Sequence, residues 1–123
     1  MTGFVRVLNL DRQSYDPPRA ALCDTFLSRW RGLMGRPELH ADEGVLLVGR
    51  RDSRADSAIH MLFVRFDLAV FWINSNMRVV DKVVARSWQL AHIPRSPARY
   101  VLELHPDHFS AYDIGNKVEI VNA

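Results

Sequence analysis

The sequence predicts a mainly β domain of α+β character: a small β sandwich or barrel with one defined helix packed against it and a short C-terminal helical turn. Three observations predict it. Apolar residues alternate, or run in short blocks between turn-formers, over most of the chain, and a period of two belongs to strands. Helical spacing shows in one place, where Phe26, Trp30, Leu33 and Met34 recur behind Asp24 or Thr25 as cap and ahead of Gly35 and Pro37 as stops. Finally, 123 residues with 48% hydrophobic and 24% charged composition make a single domain, residues 1–123, that can bury a core without staples. A chain of this mass should expose roughly 6,700 Å² when folded.

Each element follows in order. Residues 3–8 and 19–23 read as strands flanking a loop that contains Tyr15, Asp16, Pro17 and Pro18. The helix then runs to about Met34, and residues 43–48 form the next strand, followed by a charged, solvated loop over 49–56. A further β region over 59–64 continues as 67–74, where the run Leu68 to Ile73 lacks polar alternation and so predicts a strand buried on both faces. Asn74, Ser75, Asn76 and Met77 make a hairpin turn, because Asn tolerates positive φ, and 79–88 is the return strand. Pro94 and Pro97 mark a loop. In the strand 100–104, Tyr100, Leu102 and Leu104 share one face, with Val101 and Glu103 on the other. Pro106 opens a short helix ending by Gly115, and 117–121 closes the chain as a strand.

Net charge is +2, from 16 basic and 14 acidic residues, and only Lys82 and Lys117 of the basic ones are lysines. The arginines are spread along the chain rather than gathered in a stripe, which disfavours nucleic acid as a partner. Arg50, Arg51 and Arg54 do cluster, but Asp52 and Asp56 lie among them. The single cysteine, Cys23, excludes an intramolecular disulfide, and its place at the end of a strand predicts burial rather than reactivity. Arg6 and Asp11 interrupt the N-terminal region before a signal-length apolar run develops, and no stretch approaches membrane-spanning length, so a cytoplasmic location without membrane contact is expected.

The order of several blocks carries a resemblance. The segment Arg29-Trp30-Arg31-Gly32-Leu33-Met34-Gly35-Arg36 is similar to the Arg-x-x-Gly-Leu-Met-x-Arg signature of the family called domain of unknown function 192, also known as uncharacterised protein family 0127. Leu39 and then Glu43 to Leu47 follow at the family's interval, residues 59–66 resemble its central block, and 100–104 with 115–118 resemble its closing segment, so the likeness spans about residues 20–121. The resemblance implies a small, mostly β domain and no established activity, cofactor or partner. Against the family's usual pattern, Ala69 stands at a carboxylate position, Met77 at the glycine of the hairpin, and Asn116 at the closing aspartate. Asp67 lies two residues before Ala69 and offers a displaced carboxylate.

The candidate site residues are His60, Arg65, Asp67 and Glu103, the polar residues embedded in apolar strands, joined by Arg29, Arg31 and Arg36 near the helix end. A buried polar group left unpaired costs about 1–3 kcal/mol, so each of these needs a partner or a ligand. The leading expectation is a non-catalytic binding module for a small polar or anionic molecule or a protein partner, with His60 and Arg65 facing the ligand. For Glu103 the structural reading takes precedence: a carboxylate that takes an arginine and braces helix to sheet. Two alternatives belong to other classes: a hydrolase acting through His60 with Asp67 or Glu103, and nucleic-acid binding through the arginines. No cofactor is called for, and no metal, because His105 and Asp107 around Pro106 are explained by capping of the short helix. Of the tryptophans, Trp30 and Trp72 fit core positions and Trp88 is the one expected to be exposed.

Overall fold

The computed structural model describes residues 3–24, 33, 36–62 and 64–123. Seven strands, β1 (Phe4–Asn9), β2 (Arg19–Cys23), β3 (Glu43–Ser53), β4 (Leu68–Ile73), β5 (Val79–Ala85), β6 (Ala98–Leu104) and β7 (Val118–Asn122), form one sheet in the order β5-β4-β6-β3-β2-β1-β7. Of the two architectures expected, the barrel is realised, in half-open form. The sheet curls until its first and last strands meet at one end, where Arg78 and Lys117 form a bridge. Around that bridge the Val79 N–H donates to the Asn116 carbonyl at 3.0 Å, and the Val118 N–H to the Met77 carbonyl at 2.9 Å. Beyond it β7 has no partner on the β5 side among the described residues, which leaves one end of the barrel open.

The alternation of side chains along each strand sorts the apolar residues into two clusters. Val5, Val7, Leu46, Phe71, Ile73, Leu102 and Leu104 pack inside the curl. Val45, Val70, Trp72 and Val101 pack on its outside, with Leu33, Leu39, Ile59, Met61 and Val64 laid over them. The central strand β4 feeds both clusters, and all six of its residues are buried, as its unbroken apolar run predicts. The folded surface of 6640 Å² agrees with the scaling expectation.

The closed end of the curl is filled by the 3-10 helix η1 (Pro106–Ala111) and the residues after it. His105 caps η1, its Nδ1 accepting the Asp107 N–H at 3.0 Å, the capping role read from sequence. Phe109 stacks on Phe71, and Tyr112 is fully buried with its hydroxyl donating to the Val7 carbonyl at 2.6 Å. Lys82 of β5 reaches over the Phe109 ring to the Phe109 carbonyl and Asp113. Asn116 accepts from the Asn9 side chain at 2.9 Å and from the Asp113 N–H at 2.8 Å. Its amide oxygen therefore provides the acceptor that an aspartate at this position would provide.

Two phenols in this plug predict a pH dependence. Burial, assisted by the Asp16 carboxylate and partly offset by the Tyr112 hydroxyl, pushes Tyr15 up to about 12. Burial raises Tyr112 as well, with Tyr15 beside it adding to the effect. An unfolded tyrosine ionises near pH ~10, so the unfolded chain releases these protons first. Stability from the plug is whole below about pH 10 and is lost as pH rises from there through about 12. Urea unfolding between pH 8 and 12, in wild type and Tyr15→Phe, checks this by a flatter alkaline decline in the variant; equal declines would contradict it.

Three local expectations need correction or restriction. Residues 59–64 do not form a strand: among the described ones only Ile59 enters a bridge, with His92. The charged stretch from Gly49 is not wholly loop, since β3 continues to Ser53 across an irregularity after Val48. The helix expected to end near Met34 lies outside the described residues except for Leu33, which is helical and fully buried; among the described residues η1 is the one complete helical element.

Candidate functional site

Residues 54–62 and 64–66 lie across the outer face of β4 and β6 and are anchored there in part by a strand side chain. Trp72 Nε1 donates to the Ser57 carbonyl at 2.8 Å, and the Ser57 hydroxyl donates to the Ser53 carbonyl. Ile59, Met61 and Val64 turn inward and are buried. Met61 exchanges backbone bonds with the facing loop, its N–H donating to Gln89 and its carbonyl accepting from Trp88, each at 2.9 Å. Between these anchors His60 is half-buried, and its Nδ1 accepts the Leu62 N–H at 3.3 Å. Arg65 is exposed.

The other candidates separate. Asp67 sits just before β4 and closes the turn after β5: it accepts the Ser87 N–H at 2.9 Å and Arg86 Nη1 at 3.0 Å. Those two bonds, the backbone one foremost, outweigh burial and hold its carboxyl below the usual range. Arg36 pairs with Glu43, whose carboxylate also accepts the His40 N–H at 3.0 Å. Burial alone would raise the Glu43 pKa, but these partners together bring it below its ordinary value. Glu103 faces outward from β6 between Val45 and Val70 and is fully buried, with a partner of its own. Ala69 lines the interior of the curl, so a carboxylate there would face the inner core. Arg29 and Arg31 lie outside the described residues.

Beside the start of the covering segment is a recess of about 470 Å³ between β3, β6 and residues 56–58. Leu47 and Val101 form its apolar wall, and Arg50, Arg51, Arg99, Asp24, Asp56 and Ser57 border it. Arg99 gives Nε to the Gly49 carbonyl, at 3.1 Å, and lies 5.3 Å from the centre of the Tyr100 ring. Among the described residues its two terminal nitrogens make no hydrogen bond, which leaves donors toward the recess. Arg51 stands 3.7 Å from Asp56 and is well exposed, so that pair is weakly held. The strand beyond Val48 presents Arg50 and Arg51 here, two members of the arginine cluster that the sequence shows and that was expected to lie in a solvated loop. Nothing in the local pattern pointed to Arg99, which the pairing of β6 with β3 brings across.

Cys23 is buried at the end of β2, as its position predicted. Trp72 is 1% exposed and Trp88 53%, the core and surface placements expected of them. Among the described residues no group of three or more His, Cys, Asp and Glu side chains gathers as metal ligands. No helix among them is long and apolar enough to cross a membrane.

With this geometry in hand, comparison with known proteins gives a consistent result. Residues 8–120 match the DUF192 family, described as Uncharacterized ACR. The UPF0127 protein TK1120 of Thermococcus kodakarensis is 38% identical over 85 residues, which cover 69% of this chain and 52% of that protein. A UPF0127 protein of Thermococcus gammatolerans is 39% identical over 82 residues, 67% of this chain and 52% of the relative. The chain thus spans about half the length of these relatives. Among solved structures, a candidate transcription regulator of Sinorhizobium meliloti 1021 superposes with a TM-score of 0.76 at 21% identity, covering 97% of this chain and 93% of the other. A protein of unknown function from Novosphingobium aromaticivorans gives 0.73, also at 21% identity, with 96% and 84% covered. Likeness at that level of identity shows the fold.

Proposed function

The chain belongs to the uncharacterised DUF192 family, and we propose that it is a non-catalytic module that binds a small polar or anionic molecule on the outer face of its sheet. The observation that carries this reading is the recess bordered by Arg50, Arg51 and Arg99. Three guanidinium groups at an apolar-walled hollow suit an anion that takes charge-assisted, forked hydrogen bonds. His60 and Arg65, three and eight residues beyond Ser57 on the covering segment, add an imidazole and a further exposed cation to the same layer. A small anionic region of a protein partner would use the same donors.

The hydrolase alternative has less support. His60 would need a carboxylate to orient it in an open cleft. Asp67 is committed to Ser87 and Arg86, and Glu103 is fully buried. Binding of nucleic acid draws on the arginines alone, and those at the recess share it with Asp24 and Asp56.

Calorimetric titration with citrate, sugar phosphates and neutral polyols tests the proposal. Saturable binding of the anions is expected, weakened at least about tenfold, the loss of one charge-assisted bond, in Arg99→Ala. His60→Ala and Arg65→Ala should also bind less while keeping the wild-type melting temperature. Absence of saturable heat for every anion, or full affinity in Arg99→Ala, overturns it. Unfolding of His60→Ala and Arg65→Ala would assign those two residues to the scaffold.

A further inference from the structure

We propose that the open end of the half-barrel is a second ligand site, one that takes a single-chain amphiphile with an apolar tail and a carboxylate head. The end opposite η1 holds a recess of about 640 Å³, within the roughly 300–1,000 Å³ of small-molecule sites. Leu22, Leu46, Val48, Tyr100 and Ile120 line it from the concave face of the sheet. These residues alternate inward along four strands, so the hollow continues the inner core rather than lying on the surface. It exists because β7 leaves β5 after the Arg78 and Lys117 bridge.

Met77 is the feature that distinguishes this recess from an unfilled barrel end. It sits in the hairpin with a φ of 62°, a left-handed conformation that glycine adopts without cost and a long side chain does not. The Asn74 carboxamide oxygen holds the turn in that shape by accepting the Asn76 and Arg78 N–H groups at 3.1 and 3.0 Å. The strained residue delivers a flexible thioether to the rim of the recess, where it packs against the inner cluster. Methionine adapts to apolar ligands of varied shape.

The head-group assignment rests on Lys117. Its Nζ donates to the Asn76 carbonyl at 2.8 Å at the rim, which leaves two further donors. The neighbouring Asp11 carboxylate is engaged by the Lys117 backbone N–H at 2.8 Å. Glu119 also borders the recess but is exposed and alternates with Val118 and Ile120, whose side chains enter the core. A tail along Leu22, Leu46 and Ile120 with a carboxylate at Lys117 satisfies both halves of the recess. Val48 is the one residue that also borders the arginine-bordered recess on the outer face, and Met77 and Lys117 belong to this site alone, so either site can fail alone.

Fluorescence of N-phenyl-1-naphthylamine, a neutral apolar probe, tests it, with displacement by dodecanoate, dodecanol and dodecylamine below their micelle concentrations. The probe should bind saturably, and dodecanoate should displace it best and dodecylamine worst. Lys117→Met should bring dodecanoate to the level of dodecanol. Met77→Gly, which relieves the backbone and must fold, should weaken dodecanoate about tenfold through loss of the buried thioether contact. Leu22→Trp, at a residue that lines this recess alone, should abolish probe binding by filling the hollow. No probe binding to wild type, undiminished binding in both Met77→Gly and Leu22→Trp, or a preference for dodecylamine overturns the proposal.

Discussion

Replacing Trp72 with alanine is expected to lower stability by ~3–5 kcal/mol, the usual cost of deleting a large buried aromatic. The indole is 1% exposed, belongs to the outer cluster, and gives its N–H to the Ser57 carbonyl. Alanine leaves both a void and an orphaned carbonyl at the root of the segment that covers β4 and β6. For a domain with about 5–15 kcal/mol in total, the loss is a large share of stability. Trp72→Phe separates the two contributions: it keeps most of the volume and should cost only ~1–2 kcal/mol, chiefly the lost hydrogen bond. Urea unfolding of both variants checks the ranking. Hydrogen exchange at residues 57–62 should accelerate in both, and unchanged exchange there would contradict the role assigned to Trp72 as the clasp of the outer layer.

The second large effect is expected at Gly44. A side-chain carbon at this position would meet Leu104 Cδ2 and would stand 2.7 Å from the Glu103 carbonyl oxygen, which belongs to the backbone of the paired strand. Real Cβ atoms do not approach that closely, and the Leu104 side chain is itself fully buried in the inner cluster. Either β3 and β6 separate or the inner core repacks, and overpacking of this kind costs ~1–3 kcal/mol or more. Gly44→Val should exceed Gly44→Ala, because the branched side chain presses on both neighbours. By contrast Gly115, with φ of 97° and open space around it, should lose stability only through its backbone conformation. Comparison of the three melting temperatures checks this: equal losses for Gly44→Val and Gly115→Ala would show that the β3–β6 contact is looser than described.

These variants also show how far the fold could be read from the chain. The burial of β4 was legible because a strand covered on both faces has no reason to alternate. The division of β6 into Tyr100, Leu102 and Leu104 against Val101 and Glu103 was legible because alternation alone decides it. The turn at Asn74 to Met77 was carried by local hydrogen-bonding chemistry of the asparagines. Residues 59–64 misled for a physical reason: Ile59 and Met61 alternate inward just as strand residues do, since the segment packs flat on the sheet. A pattern of polarity reports which side chains are buried and is blind to whether the backbone pairs. The continuation of β3 to Ser53 failed in the opposite sense, because a strand that leaves the core has no apolar face to announce it.

The candidate site was less legible than the fold. The sequence singled out polar residues within apolar runs and arginines near the helix end, and the structure gives one of each a structural engagement: Asp67 closes a turn and Arg36 pairs with Glu43. His60 stays half-buried and Arg65 exposed on the covering segment. The recess joins residues from β3, β6 and the start of that segment, far apart in the chain. Only the order of strands brings Arg99 beside Arg50, and no local pattern encodes that order. The closure of the curl through Arg78 and Lys117, which creates the second recess, is equally nonlocal.

The central claim is that the arginine-bordered hollow on the outer face receives an anion. A backbone-amide NMR titration of the isotope-labelled chain with citrate at low ionic strength tests it most directly. The account predicts saturable shifts concentrated at residues 49–58 and 98–101, absent in Arg99→Ala. Shifts distributed evenly over the surface, or none up to millimolar citrate, would contradict it.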